Sequence, residues 1–185
     1  PAGGSGNPDV TAALAAIGDE QFHIIAHPYT DTANLNALKE ELSDRWGPLT
    51  QNDGVAITAK EDSYANLSTF GDGRNSQWEV VVGINNSPTP PWRIASATAA
   101  AVAFYGQIDP ARPFQTLPLQ GVLPPAIADR FTQSERNLLL NEGVATLRAA
   151  AGGGTIIDRL VTTYKTNALG AADPSYRDLN TLMIL

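Results

Sequence analysis

The chain has 185 residues, with 12 Lys and Arg against 19 Asp and Glu for a net charge of −7, 43% hydrophobic residues and no cysteine. That length fits about one globular domain, able to bury roughly 70% of its unfolded surface, and the missing thiols exclude disulfides, Cys-ligated zinc and thiol chemistry. An acidic chain without Lys/Arg clusters is a poor partner for phosphate backbones, and no window reaches the roughly 20 apolar residues of a membrane span, so nucleic acid and membrane are set aside and a soluble protein is expected.

Residues 1 to 6 are Gly-rich and fit a flexible connector; with no initiator, no leader pattern and a single methionine at Met183, the sequence reads as a piece of a longer polypeptide. Asn7-Pro8-Asp9 offers a cap, a first-turn proline and an acid, which predicts a helix over about Pro8 to Ile17 ended by Gly18-Asp19. Phe22-His23-Ile24-Ile25-Ala26, closed by Pro28, suits a buried strand. Leu35, Leu38 and Leu42, with Trp46, share one face of a following helix that stops at Gly47-Pro48.

The alternation continues with a strand at Val55 to Ala59, a short segment around Tyr64 to Phe70 and a strand at Trp78 to Gly83. Trp92 to Tyr105 is a helix whose alanines are explained by propensity alone. Prolines at 110, 113, 118, 124 and 125 predict an irregular connection from Asp109 to Pro125 with little ladder pairing, a kind of loop that often serves as a contact surface. Thr132-Gln133-Ser134-Glu135 is a capping box ahead of a helix that Gly143 ends. Val144 to Ala150 and Thr155 to Tyr164 flank Gly152-Gly153-Gly154 as a β-hairpin, and Asp173-Pro174 opens a last helix carrying Tyr176, Leu179, Leu182 and Met183 on one face. The fold class expected is α/β, a mainly parallel sheet flanked by helices on both faces with a hairpin near the C-terminal third.

Residues that could carry chemistry have plainer readings. His23 and His27 are four apart with no third ligand nearby, which favours ordinary buried or rim histidines over a metal pair. No Gly-x-Ser-x-Gly elbow occurs; Gly4-Ser5-Gly6 lies in the connector, and Ser63, Ser68, Ser96 and Ser134 read as caps, turns or helix-surface hydroxyls. No phosphate-loop pattern is present: Gly71-Asp72-Gly73 reads as an ordinary turn and Gly152-Gly153-Gly154 as a strand connection. Glu40-Glu41 sits with Lys39 and Arg45 on a solvated helix face, and Glu61-Asp62 offers only residual carboxylate chemistry. Asp158 and Arg159 either pair across strands or project toward another subunit. No catalytic, cofactor-binding or metal-binding residue is assigned, and no cofactor is expected.

Three stretches, Asn7 to Leu14, Phe22 to Asp31 and Glu135 to Gly143, together resemble a Mu-like contractile-phage tail sheath protein. The run Thr162 to Asn167 followed by Gly170 to Tyr176 is similar to that family's junction between its core and C-terminal domains, so the likeness spans Asn7 to about Leu182. The resemblance implies a structural subunit: copies stack helically around a tail tube above a baseplate, and the sheath shortens to drive the tube through the host envelope. It implies a subtilisin-like α/β core at residues 7–168, the truncated start of a C-terminal domain at 169–185, and no proteolysis. It also implies a virion tail protein assembled in the bacterial cytoplasm. Because the family's terminal arms are absent, this chain alone is expected to be monomeric. The acidic charge and the Asp109 to Pro125 loop are candidate contact features, to be probed by charge reversal at Arg112 and Arg130. The alternatives are a hydrolase on the same scaffold and a generic binding module, which would need a pocket with converging polar groups.

Overall fold

The computed structural model describes residues 6–179. The first helix, α1, is Thr11–Ile17, three residues shorter than the capping pattern predicts. Asp9 Oδ1 accepts hydrogen bonds from Thr11 N at 2.9 Å and Thr11 Oγ1 at 2.6 Å, so the acid starts the helix from outside it. Asn7 is drawn away to Asp31, its Nδ2 2.6 Å from Oδ2. The next strand, β1, contracts to Ile24–Ala26, leaving Phe22 at its entrance 42% exposed rather than buried.

Helix α2 is Thr32–Arg45, capped by Asp31 and burying Leu35, Leu38 and Leu42 as their spacing requires. Its last turn is not the solvated face expected of Arg45: that side chain is buried, bonded through Nε to Glu41 at 2.8 Å and donating to the carbonyls of Gly18 and Glu20. Strand β2 is Val55–Glu61, helix α3 is Tyr64–Asp72 and strand β3 is Glu79–Ile84. Helix α4 is Pro91–Ile108, then come the two-residue strand β4 at Pro118–Leu119 and a 3-10 turn at Ile127–Asp129. Helix α5 is Gln133–Asn141 with the predicted capping box, and β5 (Val144–Ala149) and β6 (Thr155–Arg159) form the hairpin. Gly153 and Gly154 turn it at φ of +86° and +81°, values that suit glycine.

The six strands are ordered β1-β2-β3-β5-β6-β4. The first three pairings are parallel and the last two antiparallel, so the sheet is mainly parallel with an antiparallel edge. Alternation along β2 and β3 sends Val55, Ile57, Ala59, Val80, Val82 and Ile84 to one face, where Ile94, Ala95, Ala99 and Val102 of α4 cover them. The opposite face packs against α3 and α5 through Leu67, Leu139 and Val144, while α1 rests on α2 through Val10, Leu14 and Leu38. Helices therefore cover both faces.

Three other regions differ from the sequence reading. The proline loop is less detached than expected: Phe114, Leu117, Leu119 and Val122 are buried in the main core, and Thr116 N and Leu117 O bond to Ile157 at 2.7 and 2.9 Å along the β6 edge. Prolines break its ladder but alternate with inward apolar residues. Gly71-Asp72-Gly73 is the end of α3, and Gly71 lies so close to Glu142 and Val144 that a Cβ would sit 2.6 Å from the Glu142 carbonyl. The second hairpin arm ends at Arg159 rather than Tyr164. Beyond it the chain becomes a polar strap, with Val161 bridging to Asp178. The last helix does not open at Asp173-Pro174 as expected: residues 175–177 form a turn and Asp178 bridges to Val161, while Leu182 and Met183 lie outside the described residues.

The strap is buried yet polar. Thr162 and Thr163 are fully buried; Thr163 N donates to Glu79 O at 2.9 Å, while Thr163 Oγ1 donates to Ser76 O and accepts from Ser76 N. Asn75 Oδ1 accepts from Lys165 N at 2.7 Å and Thr166 N at 3.2 Å, and Lys165 Nζ donates to the carbonyls of Gly71 and Asp72. Beneath it Arg74 and Glu79 form a buried bidentate pair at 3.1 and 2.6 Å, with Arg74 Nη1 also held by Asn36 Oδ1.

Candidate functional site

Strand β2 hands the chain to α3 on one face of the sheet and β3 hands it to α4 on the other, an arrangement that opens a crevice at the carboxyl ends of parallel strands. A half-open cavity of about 310 Å3 lies one strand further along, between the ends of β3 and β5, with Ile84, Ile94, Val122 and Leu147 among its apolar lining. Its polar lining includes Arg136 and Arg148, which share Asp158 as a partner outside the lining. Arg136 Nε lies 2.9 Å from Asp158 Oδ2 and Arg148 Nε 3.3 Å from Oδ1, and Arg136 Nη1 also donates to Phe131 O. Arg159, one residue on and on the other side of the strand, pairs instead with Asp178 at 2.8 Å. The two residues thus serve partners within the chain rather than each other.

The remaining residues singled out from sequence do not converge. His27 is buried, and desolvation pushes its pKa down to about 4; the neighbouring Tyr29 backbone and the charge of Asp31 oppose the shift without overcoming it. His23 is exposed beside Gln21 and Asp53. Neither histidine hydrogen-bonds a serine among the described residues, and among them no three His, Asp or Glu side chains cluster as a metal site. Ser63 caps α3, Ser96 Oγ donates to Trp92 O, and Ser68 and Ser134 lie within α3 and α5.

The acidic pairs are structural as well. Glu61 accepts from Ser87 N, and the Asp62 carboxyl, held by the Asn66 side chain and the Ser63 amide, sits below its ordinary pKa. Asp31 is lowered to about 2, chiefly because its carboxylate accepts the Asn34 amide at the start of α2. Glu40 is exposed and Glu41 serves Arg45.

Of the expected contact features, Arg112 is exposed and stacks its guanidinium 5.0 Å from the Tyr105 ring centroid, and exposed Arg130 donates through Nε to Pro125 O. The surface that sequence reasoning missed is the outer side of α4. Ala100, Phe104 and Ile108 recur every four residues on its exposed face, with Phe104 61% and Ile108 66% exposed, and a shallow groove runs beside them past Ala97, Ala101 and Pro118. The four-residue recurrence was present in the sequence, behind the alanines.

The sequence matches the phage tail sheath protein central domain over residues 3–163. It is 41% identical over 182 residues to the Mu-like prophage FluMu tail sheath protein of Haemophilus influenzae, covering 98% of this chain and 37% of that protein. The chain thus spans little more than a third of that relative's length. The fold is similar to a chain of the anti-feeding prophage baseplate (TM-score 0.62, 15% identity, 94% of this chain and 46% of that one). It is also similar to the sheath tail protein of Desulfitobacterium hafniense (TM-score 0.61, 15% identity, 93% and 38%). A third likeness is to the anti-feeding prophage helical sheath in its contracted state (TM-score 0.56, 16% identity, 94% and 47%).

Proposed function

The chain belongs to the phage tail sheath family, and from that premise we propose that it is the core of a structural subunit that polymerises helically around a tail tube and contracts to drive the tube forward. The observation that carries this reading is the 41% identity to a prophage tail sheath protein across nearly the whole chain. The family is structural rather than enzymatic, and the scattered histidines and serines give the hydrolase alternative no support. Residues 7–168 act as the core and residues 169–185 open the next domain. The partners proposed are further copies of the subunit, the tube and the baseplate, and the location is the virion tail, assembled in the bacterial cytoplasm.

The physics of such a machine suits this fold. Heterologous contacts between copies generate an open helix, and two packings of one stiff body give extended and contracted states. A core with cover on both sheet faces and a strap fixed at both ends is such a body. The exposed α4 stripe and the Arg112 and Arg130 surface are the contact regions proposed, while arms outside this chain supply the links that persist through contraction.

Negative-stain electron microscopy of the full polypeptide beside this 185-residue chain tests the proposal. Tubes from the full polypeptide and discrete monomers from the shorter chain are expected. Discrete particles from both would overturn the sheath reading, and tubes from the shorter chain would overturn the assignment of polymerisation to the missing arms.

A further inference from the structure

We propose that the Asp53-Gly54 link is a site of spontaneous backbone isomerisation, at which this aspartate becomes isoaspartate as the chain ages. The reaction needs an Asp or Asn whose side-chain carbonyl carbon is attacked by the amide nitrogen of the next residue, and a small following residue leaves that nitrogen accessible. Five places in the chain have Gly or Ser after the acid or amide: Asp53-Gly54, Asp62-Ser63, Asp72-Gly73, Asn75-Ser76 and Asn86-Ser87. The fold separates them.

At four of the five the attacking nitrogen is already engaged. Gly73 N donates to Thr69 O at the end of α3, Ser76 N to Thr163 Oγ1, Ser87 N to Glu61 Oε1 and Ser63 N to the Asp62 carboxylate. Reaction at these places first requires a hydrogen bond to open, which costs local unfolding. Gly54 N has no hydrogen-bond partner among the described residues. The Asp53 side chain is 52% exposed, and its polar neighbours, Gln21 Nε2 at 3.5 Å and His23 Nδ1 at 3.9 Å, are too distant to hold the carboxyl group. It is free to turn toward Gly54, unlike the Asp62 carboxylate, which Ser63 N and Asn66 Nδ2 pin. Packing also explains why glycine follows Asp53: a Cβ on residue 54 would lie 2.5 Å from Phe22 O.

The step balances with water alone. Gly54 N bonds to Asp53 Cγ and gives up its proton, one carboxyl oxygen leaves as water, and a cyclic imide closes. Water then adds to either imide carbonyl. Addition at Cγ breaks its bond to Gly54 N and restores aspartate. Addition at the main-chain carbon breaks that carbon's bond to the nitrogen instead, leaving a free α-carboxylate and a main chain that runs through Cβ and Cγ, longer by a methylene. The added methylene enters where Val55 N meets His23 O and the pairing of β1 with β2 begins, so aged copies carry a misfitted entry to the sheet.

Peptide mapping of the full polypeptide, held folded for several weeks at mildly acid pH and body temperature, tests the site. Trypsin places Asp53 in the peptide 46–60 and both Asp62 and Asp72 in 61–74, so isomer-resolving fragmentation reads them separately. Isoaspartate at Asp53 is expected at least about tenfold above that at Asp72, and a smaller excess, or none, would overturn the proposal. Asp53→Glu, whose imide would need a larger and slower-forming ring, should abolish the signal in 46–60 while leaving Gly54 in place; a persisting signal would contradict the assignment. In urea, where both glycine amides are free, the two Asp-Gly links should isomerise within about twofold of each other. A tenfold preference for Asp53 surviving there would trace the selectivity to local sequence and overturn the role given to the fold.

Discussion

The parallel half of the sheet and the strap that follows β6 are both buried, but by opposite means. In β2 and β3 the burial is apolar, with Ile57, Val80, Val81 and Val82 fully enclosed between helices. In the strap, Thr162 and Thr163 are enclosed to the same degree, and the chain is held by hydrogen bonds to the loop between α3 and β3 and by Lys165 reaching back to the end of α3. Non-directional burial tolerates exchange among residues of similar volume, whereas a polar enclosure tolerates almost none, since each partner removed leaves another group buried and unserved. The strap is therefore the part of the described chain where geometry is specified most tightly.

The largest test of this contrast is Arg74→Met, which leaves the Glu79 carboxylate buried without its partner. It should cost about 4 kcal/mol in urea unfolding, and a loss under about 1 kcal/mol would show that the polar enclosure is not demanding. On the apolar side, Leu67→Ala opens a cavity between Leu139 and Val144 and should cost about 3 kcal/mol, while Leu67→Met should cost less than about 1.5 kcal/mol. That asymmetry between deletion and swap is what separates the two regions.

Acid sharpens the comparison from another side. His27 has a folded pKa of about 4 against an ordinary 6.5, so the unfolded chain binds more protons between these values and stability falls as pH drops through that window. The loss from pH 7 to pH 5 should be about 2 kcal/mol, and His27→Leu should remove it; an unchanged pH slope in the variant would show that the histidine is not the source. The smallest effect expected is at the start of α2, where Asp31→Ala removes the cap and should lower stability by about 1 kcal/mol at pH 7. Because the folded pKa of Asp31 is about 2, the wild-type advantage should persist down to the ordinary carboxylate range and fade as pH falls from 3.8 toward 2.

The same contrast explains what could be read from the sequence. Apolar periodicity located α2, short apolar runs located β2 and β3, helix propensity located α4 and the capping box located α5, because local patterns follow local geometry. Polar partnerships are long-range and leave no such pattern: nothing near Thr163 in sequence points to Ser76, 87 residues away, and Asn7 lost its predicted cap to Asp31, 24 residues away. The cavity was illegible for the same reason, since Arg136, Arg148 and Asp158 come from three different elements and each has an ordinary local reading. The proline loop was read correctly as a ladder breaker and only partly as to place. Its inward Phe114, Leu117, Leu119 and Val122 alternate irregularly, and only the β6 edge shows what they cover. The family resemblance rested on whole stretches of residues, and the match over residues 3–163 confirms it where single motifs could not.

Whether sheet and strap form one stiff body is read most directly by native-state hydrogen exchange at individual amides. The Thr162, Thr163 and Lys165 amides, bonded to Arg177 O, Glu79 O and Asn75 Oδ1, should exchange only through global unfolding, with the same free energy and denaturant dependence as the amides of β3. Exchange of these three at least a hundredfold faster, while β3 stays protected, would mean that the strap opens locally and that sheet and strap are not a single stiff unit.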